Sequence, residues 1–416
     1  MCEHWTACSF YPKTTFGGNS GSGVDVWKGR KVDPGSVTHG RKQFARSHTP
    51  SHRRIACLSV APWNPYLRLL YGHLAAHGFE LVEHPRFSLM WLWRARSSVG
   101  FLHFHWPESY YRYGRGPARL RRLLSWVKLV VFAARLSAAR TLGYRLVWTI
   151  HQVFPHESSD RALDRRAARL LAQACHLLIA HDRCTASEAR SQLAISSKIA
   201  VVPHGSYIGV YPEGLPRREV RRALGVPQES FVFLCFGELR AYKEIDVLLE
   251  AFSLLSLPKA RLVVAGNPKI GGVASAVRAA SADNPRVISL LEFVPEGQVA
   301  ELFHASDAAV LPRGDAGTSG SLVLALSLGL PVVATDVPTV RELTRDGEAG
   351  WLFRPHDLSS LRTSLERASA DPSEARARGR CAFEIAKELD WTGIAEKLAE
   401  LLDQTMGEER RCPESQ

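Results

Sequence analysis

Phe231-Val232-Phe233-Leu234-Cys235-Phe236 runs straight into Gly237-Glu238-Leu239-Arg240-Ala241-Tyr242-Lys243, and an amphipathic segment from Ile245 to Leu255 follows at once. An unbroken apolar run offers no face to water, so the strand it forms is covered on both sides, as in a parallel sheet flanked by helices. In such sheets ligands bind beyond the carboxyl ends of the strands, where loops enter helix N-termini. Gly237, Arg240 and Lys243 stand at one such loop, with Arg240 offering paired donors and Lys243 a point charge to a diphosphate. A surface turn with two ordinary cations is the competing reading.

Outward from this stretch the pattern repeats. Arg261 to Ala265, Val287 to Ser289, Ala308 to Leu311 and Pro331 to Thr335 are further strand-like runs separated by helical segments. Upstream, Ile55 to Val60, Phe101 to Phe104, Arg145 to Ile150, Leu177 to Ala180 and Ile199 to Val202 alternate with helices in the same way, among them a long basic one from Arg115 to Leu142. The chain therefore reads as α/β with two parallel sheets, the second repeating the layout of the first. Tyr211 to Arg222, rich in proline and charge, is the linker candidate, and Leu358 to Ala370 and Ile394 to Leu402 are closing helices on either side of Trp391.

A second loop has the same character. Arg313-Gly314-Asp315-Ala316-Gly317-Thr318-Ser319-Gly320-Ser321 follows the strand ending at Leu311 and precedes the helix Leu322 to Leu328. Small residues leave backbone N–H groups open at a helix N-terminus, where an anion is favoured. The hydroxyls of Thr318, Ser319 and Ser321, with the backbone at Gly320, add donors for phosphate oxygens. A serine that merely caps the helix is the plainer reading, and the two are compatible.

Length and composition set the bounds. The chain has 416 residues, 45% hydrophobic and 23% charged, a profile of folded domains, and its length suits two domains of about 150–200 residues with a cleft between them. The net charge is +12, and its excess lies between Arg86 and Arg145, where Glu108 is the sole acid. Nucleic acid, an anionic membrane face or an acidic glycan would each suit that field. No aromatic platform or recognition-helix motif accompanies it, so nucleic acid is not expected as a partner. The cysteines, 8 in number, include no CxxC pair and read as reduced thiols of a cytoplasmic protein. The longest apolar stretch, near Trp126 to Ala134, falls far short of the ~20 residues a membrane span needs.

Taken in order, these segments resemble the donor-binding half of GT-B glycosyltransferases of the family 4 type. The resemblance rests on Phe236-Gly237 with Arg240 and Lys243, Asp246 to Phe252, Leu262-Val263-Val264-Ala265-Gly266 and Gly329-Leu330-Pro331-Val332-Val333-Ala334-Thr335. It continues through Glu342-Leu343 and Gly347 to Phe353, which resembles the family's closing turn. The first half is similar through Asn64-Pro65-Tyr66, His103 to Glu108 and Thr149 to Glu157. The resemblance implies two Rossmann-like domains facing a central cleft: 53–210 on the acceptor side, 211–385 binding the donor, then a C-terminal helix at 386–404. Residues 1–52 and 405–416 read as disordered.

By the same resemblance His151 faces the reacting sugar, with Asn64, His105 and His204 near the cleft. A strand-end histidine bonded to a backbone carbonyl is the bland alternative for each ring. The family's paired glutamates fall on Ala316 and Leu324, neither acidic, so ribose recognition is reorganised and retention of configuration is not implied. Sequences with this Ser-Gly-Ser loop resemble bacterial exopolysaccharide mannosyl- and glucuronosyltransferases, some of them inverting. An inverting reaction needs a general base, for which Glu108, His151 and Glu157 are the candidates.

The expected activity is transfer of a hexosyl unit from a GDP- or UDP-linked sugar to a saccharide or lipid-linked acceptor. No cofactor or metal is expected, because two cations can stabilise the leaving diphosphate and no Asp-x-Asp cluster occurs. The basic helix, with Trp126, Val127, Leu129, Val130 and Phe132, would either rest on an anionic membrane or pack its apolar face on the sheet. A non-catalytic sugar-nucleotide or glycan-binding protein of the same fold is the alternative reading.

Overall fold

A computed structural model describes residues 50–59, 64–82, 85–155, 158–195, 198–268, 271–313 and 319–407. Two six-stranded sheets organise it, and every strand pair is parallel. The first contains β1 (Arg54–Leu58), β2 (Glu80–Val82), β3 (Phe101–Phe104), β4 (Arg145–Ile150), β5 (Leu177–Ala180) and β6 (Ile199–Val201). The second contains β7 (Phe231–Phe236), β8 (Ala260–Ala265), β9 (Val287–Leu290), β10 (Ala308–Leu311), β11 (Val332–Thr335) and β12 (Gly350–Phe353). Central strands are buried along their whole length, as β3, β5, β10 and β11 show, which is why they read as unbroken apolar runs.

The two halves are not copies in topology. The first sheet runs β2-β1-β3-β4-β5-β6 and the second β12-β11-β10-β7-β8-β9, so the expected alternation of strand and helix is present in both halves, with different strand orders. Each order reverses at one place, between β1 and β3 in the first sheet and between β7 and β10 in the second. Loops leaving the strands on either side of such a point diverge and open a crevice. The second reversal therefore brings the loop after β7 beside the loop after β10, the two anion-binding candidates.

Several elements differ from the sequence reading. The edge strands β2 and β12 were not expected as strands. β12 occupies residues of the supposed closing turn; Gly350, Trp351 and Phe353 are buried there against β11 and the helix Leu358–Ala370. The linker candidate is in part a docked helix, Arg217–Ala223. Its Val220 is buried, and Arg221, 1% exposed, reaches Asp307 and the carbonyls of Ala305, Gln228 and Ser230. A charge-rich segment can be core when its guanidinium is fully bonded.

The chain returns to the first half at its end. In place of one helix over 386–404, the structure has Pro372–Glu388 and then Trp391–Gly407. The latter packs Trp391, Ile394, Leu398 and Leu402 into the core of the first sheet with Tyr66, Leu70 and Phe101. Arg53 meets Asp403 at 2.7 Å and Arg145 Nε donates to the Thr405 carbonyl, so residues through Gly407 are held rather than solvated. Of the residues expected to be disordered, 1–49 and 408–416 lie outside the described residues, Ser51 and His52 belong to the short turn Ser51–Arg53, and 405–407 end the last helix.

Candidate active site

Between the sheets lies a cleft of about 730 Å³, lined by Asn64, Tyr66, Trp106, Glu108, His151 and His204 from the first half and by Gly237, Arg240, Lys243, Arg313, Ser319, Gly320 and Ser321 from the second. On the second side the geometry is that of an anion cradle. Gly237 has φ +116°, a conformation that disfavours a side chain. A β-carbon there would stand 3.1 Å from Ser321 Oγ and 3.2 Å from Lys243 Nζ, so the absent side chain is the space into which a hydroxyl and an ammonium both point. Gly266 is required for a related reason, because a β-carbon on it would collide with the Gly237 carbonyl.

The helix Gly320–Ser327 supplies the rest of the cradle. Ser319 caps it, its Oγ accepting from Leu322 N at 3.4 Å, and the N–H groups of Gly320 and Ser321 stand at its open end. Capping by Ser319 is therefore compatible with an anion at that end. Burial depresses the Lys243 ammonium below the usual lysine range; Arg313 and Arg240 push the same way, while Cys235 and Glu238 oppose them. Positive charge packed this closely favours an anion. Arg240 pairs with Glu238 at 3.0 Å at the rim. Arg313, buried and near the Tyr242 ring, also lines the cleft. Its position two residues past the end of β10 was the available signal, but the glycines after it drew attention instead.

The first half contributes aromatic and imidazole rings. Asn64 caps the helix Pro65–Leu74, accepting from Tyr66 N at 2.9 Å, and so aims Tyr66 into the cleft. Tyr66 meets His105, His151, His181 and His204 through ring centroids 4.7–5.9 Å apart. Trp106 stacks on His151 at 4.2 Å and 15°. His151 Nε2 lies 3.1 Å from His105 Nδ1, and His151 Nδ1 lies 3.1 Å from His181 Nε2, so both ring nitrogens are engaged. His105 is one layer behind, buried and absent from the cleft lining. His204 Nδ1 donates to the Gly205 carbonyl at 2.8 Å, the bland bond anticipated for such rings. Burial depresses every one of these imidazoles, His103 and His204 to about 3.

Glu108 opens the short helix Glu108–Tyr111 and is the described carboxylate on the first half's wall of the cleft. Arg112 beside it is anchored on the buried Asp164. Glu157 and Thr318, both sequence candidates, lie outside the described residues, as does Ala316. Leu324 lines the cleft where the resemblance placed a glutamate. His181 was missed because nothing in Leu177 to His181 marks its ring as reaching the next strand's histidine.

A family description, "Glycosyl transferases group 1", matches residues 216–385, and "Glycosyltransferase Family 4" matches residues 128–206. The GDP-mannose:glycolipid 4-beta-D-mannosyltransferase of Xanthomonas campestris pv. campestris is 30% identical over 319 residues, covering 74% of this chain and 81% of the relative. This chain belongs to the group 1 glycosyltransferases. A D-inositol 3-phosphate glycosyltransferase of Streptomyces avermitilis is 28% identical over 66% of the enzyme and 63% of its own length. In fold the glycosyltransferase is similar to the sucrose-phosphate synthase of Thermosynechococcus elongatus, with TM-score 0.67, 17% identity and coverage of 85% and 99%. It is also similar to Anabaena HepE in complex with UDP, with TM-score 0.64, 18% identity and coverage of 84% and 99%. The enzyme is a hexosyltransferase of GT-B architecture.

Proposed function

We propose that the enzyme transfers a mannosyl unit from GDP-mannose to a hydroxyl of a lipid-linked glycan, with inversion at the anomeric carbon and without a metal ion. The observation that carries the donor half of this reading is the convergence of Lys243 Nζ and Ser321 Oγ on the space beside Gly237. A diphosphate placed there meets an ammonium, a hydroxyl, the amides of Gly320 and Ser321 and, at the rim, Arg240. These groups stabilise the charge that grows on the leaving diphosphate as the glycosidic bond breaks, the role a divalent ion fills elsewhere. The choice of mannose, of a β-linkage and of a lipid acceptor follows the name of the Xanthomonas relative. GDP-mannose is α-linked, so a β product requires inversion.

Inversion needs one base to take the proton of the attacking hydroxyl. Glu108 is assigned that part: it is a carboxylate lining the cleft from the first half, and both nitrogens of His151 are bonded to neighbouring imidazoles. The acceptor oxygen attacks the anomeric carbon as its proton passes to the Glu108 carboxylate, and the nucleoside diphosphate leaves into the cradle.

The first half also carries a surface suited to lipid. The helix Ala118–Thr141 buries Leu129 and Phe132 and exposes Leu123, Val127 and Val130, the last at 70%. Of the apolar residues read in the sequence, some therefore pack inward and others face solvent. The neighbouring helix Leu89–Ala95 exposes Met90 and Trp93. Arg94, Arg119, Arg121 and Arg122 are exposed on the same two helices, and exposed apolar side chains with arginines are the combination that binds an anionic bilayer peripherally. No described helix is long and apolar enough to cross a membrane.

The deciding experiment measures nucleoside diphosphate release from GDP-mannose, UDP-glucose and UDP-glucuronate with a lipid-linked oligosaccharide acceptor, and reads the product's anomeric configuration by NMR. Turnover of GDP-mannose to a β-linked product supports the reading. An α product removes the inverting mechanism, and absence of release from any donor removes the activity.

A further inference from the structure

A row of hydrogen bonds crosses the floor of the acceptor side from strand to strand. Thr149 Oγ1 lies 2.8 Å from His103 Nε2, and Tyr71 Oη lies 3.0 Å from His103 Nδ1 and 2.9 Å from His105 Nε2. The row continues through His105 Nδ1 to His151 Nε2 at 3.1 Å and His151 Nδ1 to His181 Nε2 at 3.1 Å, and ends with His181 Nδ1 against the Val202 carbonyl at 3.0 Å. Each link joins a group that can donate or accept, except the last. A carbonyl only accepts, so it fixes the direction of every other link.

His181 must carry its proton on Nδ1, which leaves Nε2 as an acceptor in the neutral ring. His151 must then donate from Nδ1 and accept on Nε2, and His105 must donate from Nδ1 and accept on Nε2. Tyr71 spends its one proton on His105, so its oxygen accepts from His103 Nδ1, and His103 Nε2 accepts from Thr149. All four imidazoles are thereby neutral and protonated on Nδ1, the tautomer less favoured in free histidine. Every ring nitrogen in the row thereby has one partner of the complementary kind. A second proton on His151 would set an N–H on Nε2 against the N–H of His105, and burial of the rings opposes the charge as well.

We propose that this row, anchored on the Val202 carbonyl, locks His151 as the neutral Nδ1–H tautomer and makes His181 a positioning residue for the acceptor wall, so that His151 shapes the site without exchanging a proton with the acceptor. Its functional consequence rests on the transferase reading above; the tautomer itself does not. Trp106 stacked on the His151 ring and Tyr66 edge-on at 5.2 Å fix its plane, and the row fixes its rotation about that plane. The other titratable groups around it are His103, His105, His181, His204 and Tyr66, with Glu108 and Arg112 lining the same cleft and Asp182 acting on His181 in the opposite sense to burial. With these rings neutral, the acceptor wall's described cation in the cleft is Arg112, itself paired with Asp164, while Lys243, Arg240 and Arg313 stand on the donor side.

The test is long-range 1H–15N correlation of the histidine rings in the full chain, with His151 and His181 assigned from the spectra of His151→Gln and His181→Gln. The expected result is the neutral Nδ1–H pattern for both rings, unchanged from pH 5 to pH 8. An Nε2–H or imidazolium pattern at His151, or its titration in that range, overturns the proposal. In kinetics, His181→Gln presents an amide oxygen to His151 Nδ1–H and keeps kcat within about threefold, while His181→Leu lowers kcat by about tenfold or more at unchanged donor KM. Equal kcat in the leucine variant overturns the positioning role. If His181→Leu does not fold, the wild-type spectrum decides, and an enzyme inactive on every donor with the expected spectrum refutes the transferase reading alone.

Discussion

Gly237 lies so close to Ser321 that a β-carbon at position 237 would stand 3.1 Å from the serine hydroxyl. These residues are far apart in sequence and belong to the loops after β7 and β10, which the strand order of the second sheet makes neighbours. Gly237→Ala therefore fills the cradle and strains the backbone at φ +116°. The expected outcome is a donor KM raised by about tenfold or more, with a stability loss of about 1–3 kcal/mol. Initial rates and thermal melts check it, and a wild-type KM would remove the cradle from the donor site.

Lys243 gives a pH signature. Its ammonium is depressed by burial when the cradle is empty, and a bound diphosphate stabilises the charged form and raises its pKa. Affinity for a nucleoside diphosphate is thus full below the pKa of the unliganded lysine and falls as pH rises through it, at a pH below the usual lysine range of about 10.4. Titration calorimetry with GDP from pH 7.5 upward should show this decline. Lys243→Ala should lose about 10²–10³ in kcat/KM and abolish the decline, and a pH-dependence shared by the alanine variant would show that another group is responsible.

Arg221 is a structural cation inside the second half. Its guanidinium bonds Asp307 and the carbonyls of Ala305, Gln228 and Ser230. Arg221→Ala leaves those acceptors buried and should destabilise the second sheet by about 3–5 kcal/mol, read as a calorimetric transition lowered by roughly 10 °C. A shift of no more than a degree or two would mean that water replaces the guanidinium at little cost.

The surface of the helix Ala118–Thr141 predicts lipid binding with two components. Flotation with vesicles containing anionic lipid should retain the enzyme, and raising salt should weaken retention because the arginines act through a screened field. Replacing Leu123, Val127 and Val130 by serine should weaken it at every salt concentration while leaving turnover of a soluble acceptor intact. Equal binding to neutral and anionic vesicles would show that the arginines take no part.

The elements of both sheets were legible wherever a buried strand makes an unbroken apolar run, as in Phe231–Phe236, Ala308–Leu311 and Leu177–Ala180. β2 was not, because a three-residue edge strand that stays partly exposed carries a weak pattern, and β12 was not, because its buried Gly350-Trp351-Leu352-Phe353 follows straight on a glycine turn and read as part of it. The helix Arg217–Ala223 was mistaken for a linker because composition counts arginines and cannot see that Arg221 finds four acceptors. Gly237, Lys243 and Ser321, which the structure brings together in the cleft, could each be named from the sequence because they follow buried strands.

What the sequence alone determined is the local chemistry: which runs must be buried, which loops must turn on glycine, and which side chains carry charge at strand ends. What only the tertiary structure decided is adjacency. The order of strands, which no local pattern encodes, set Ser321 against Gly237. The packing of β3, β4 and β5 lined up His105, His151 and His181, and a single carbonyl at Val202 then fixed where each proton sits. A histidine's role depends on what its two nitrogens touch, and those partners come from strands that are neighbours in the sheet and distant in the chain.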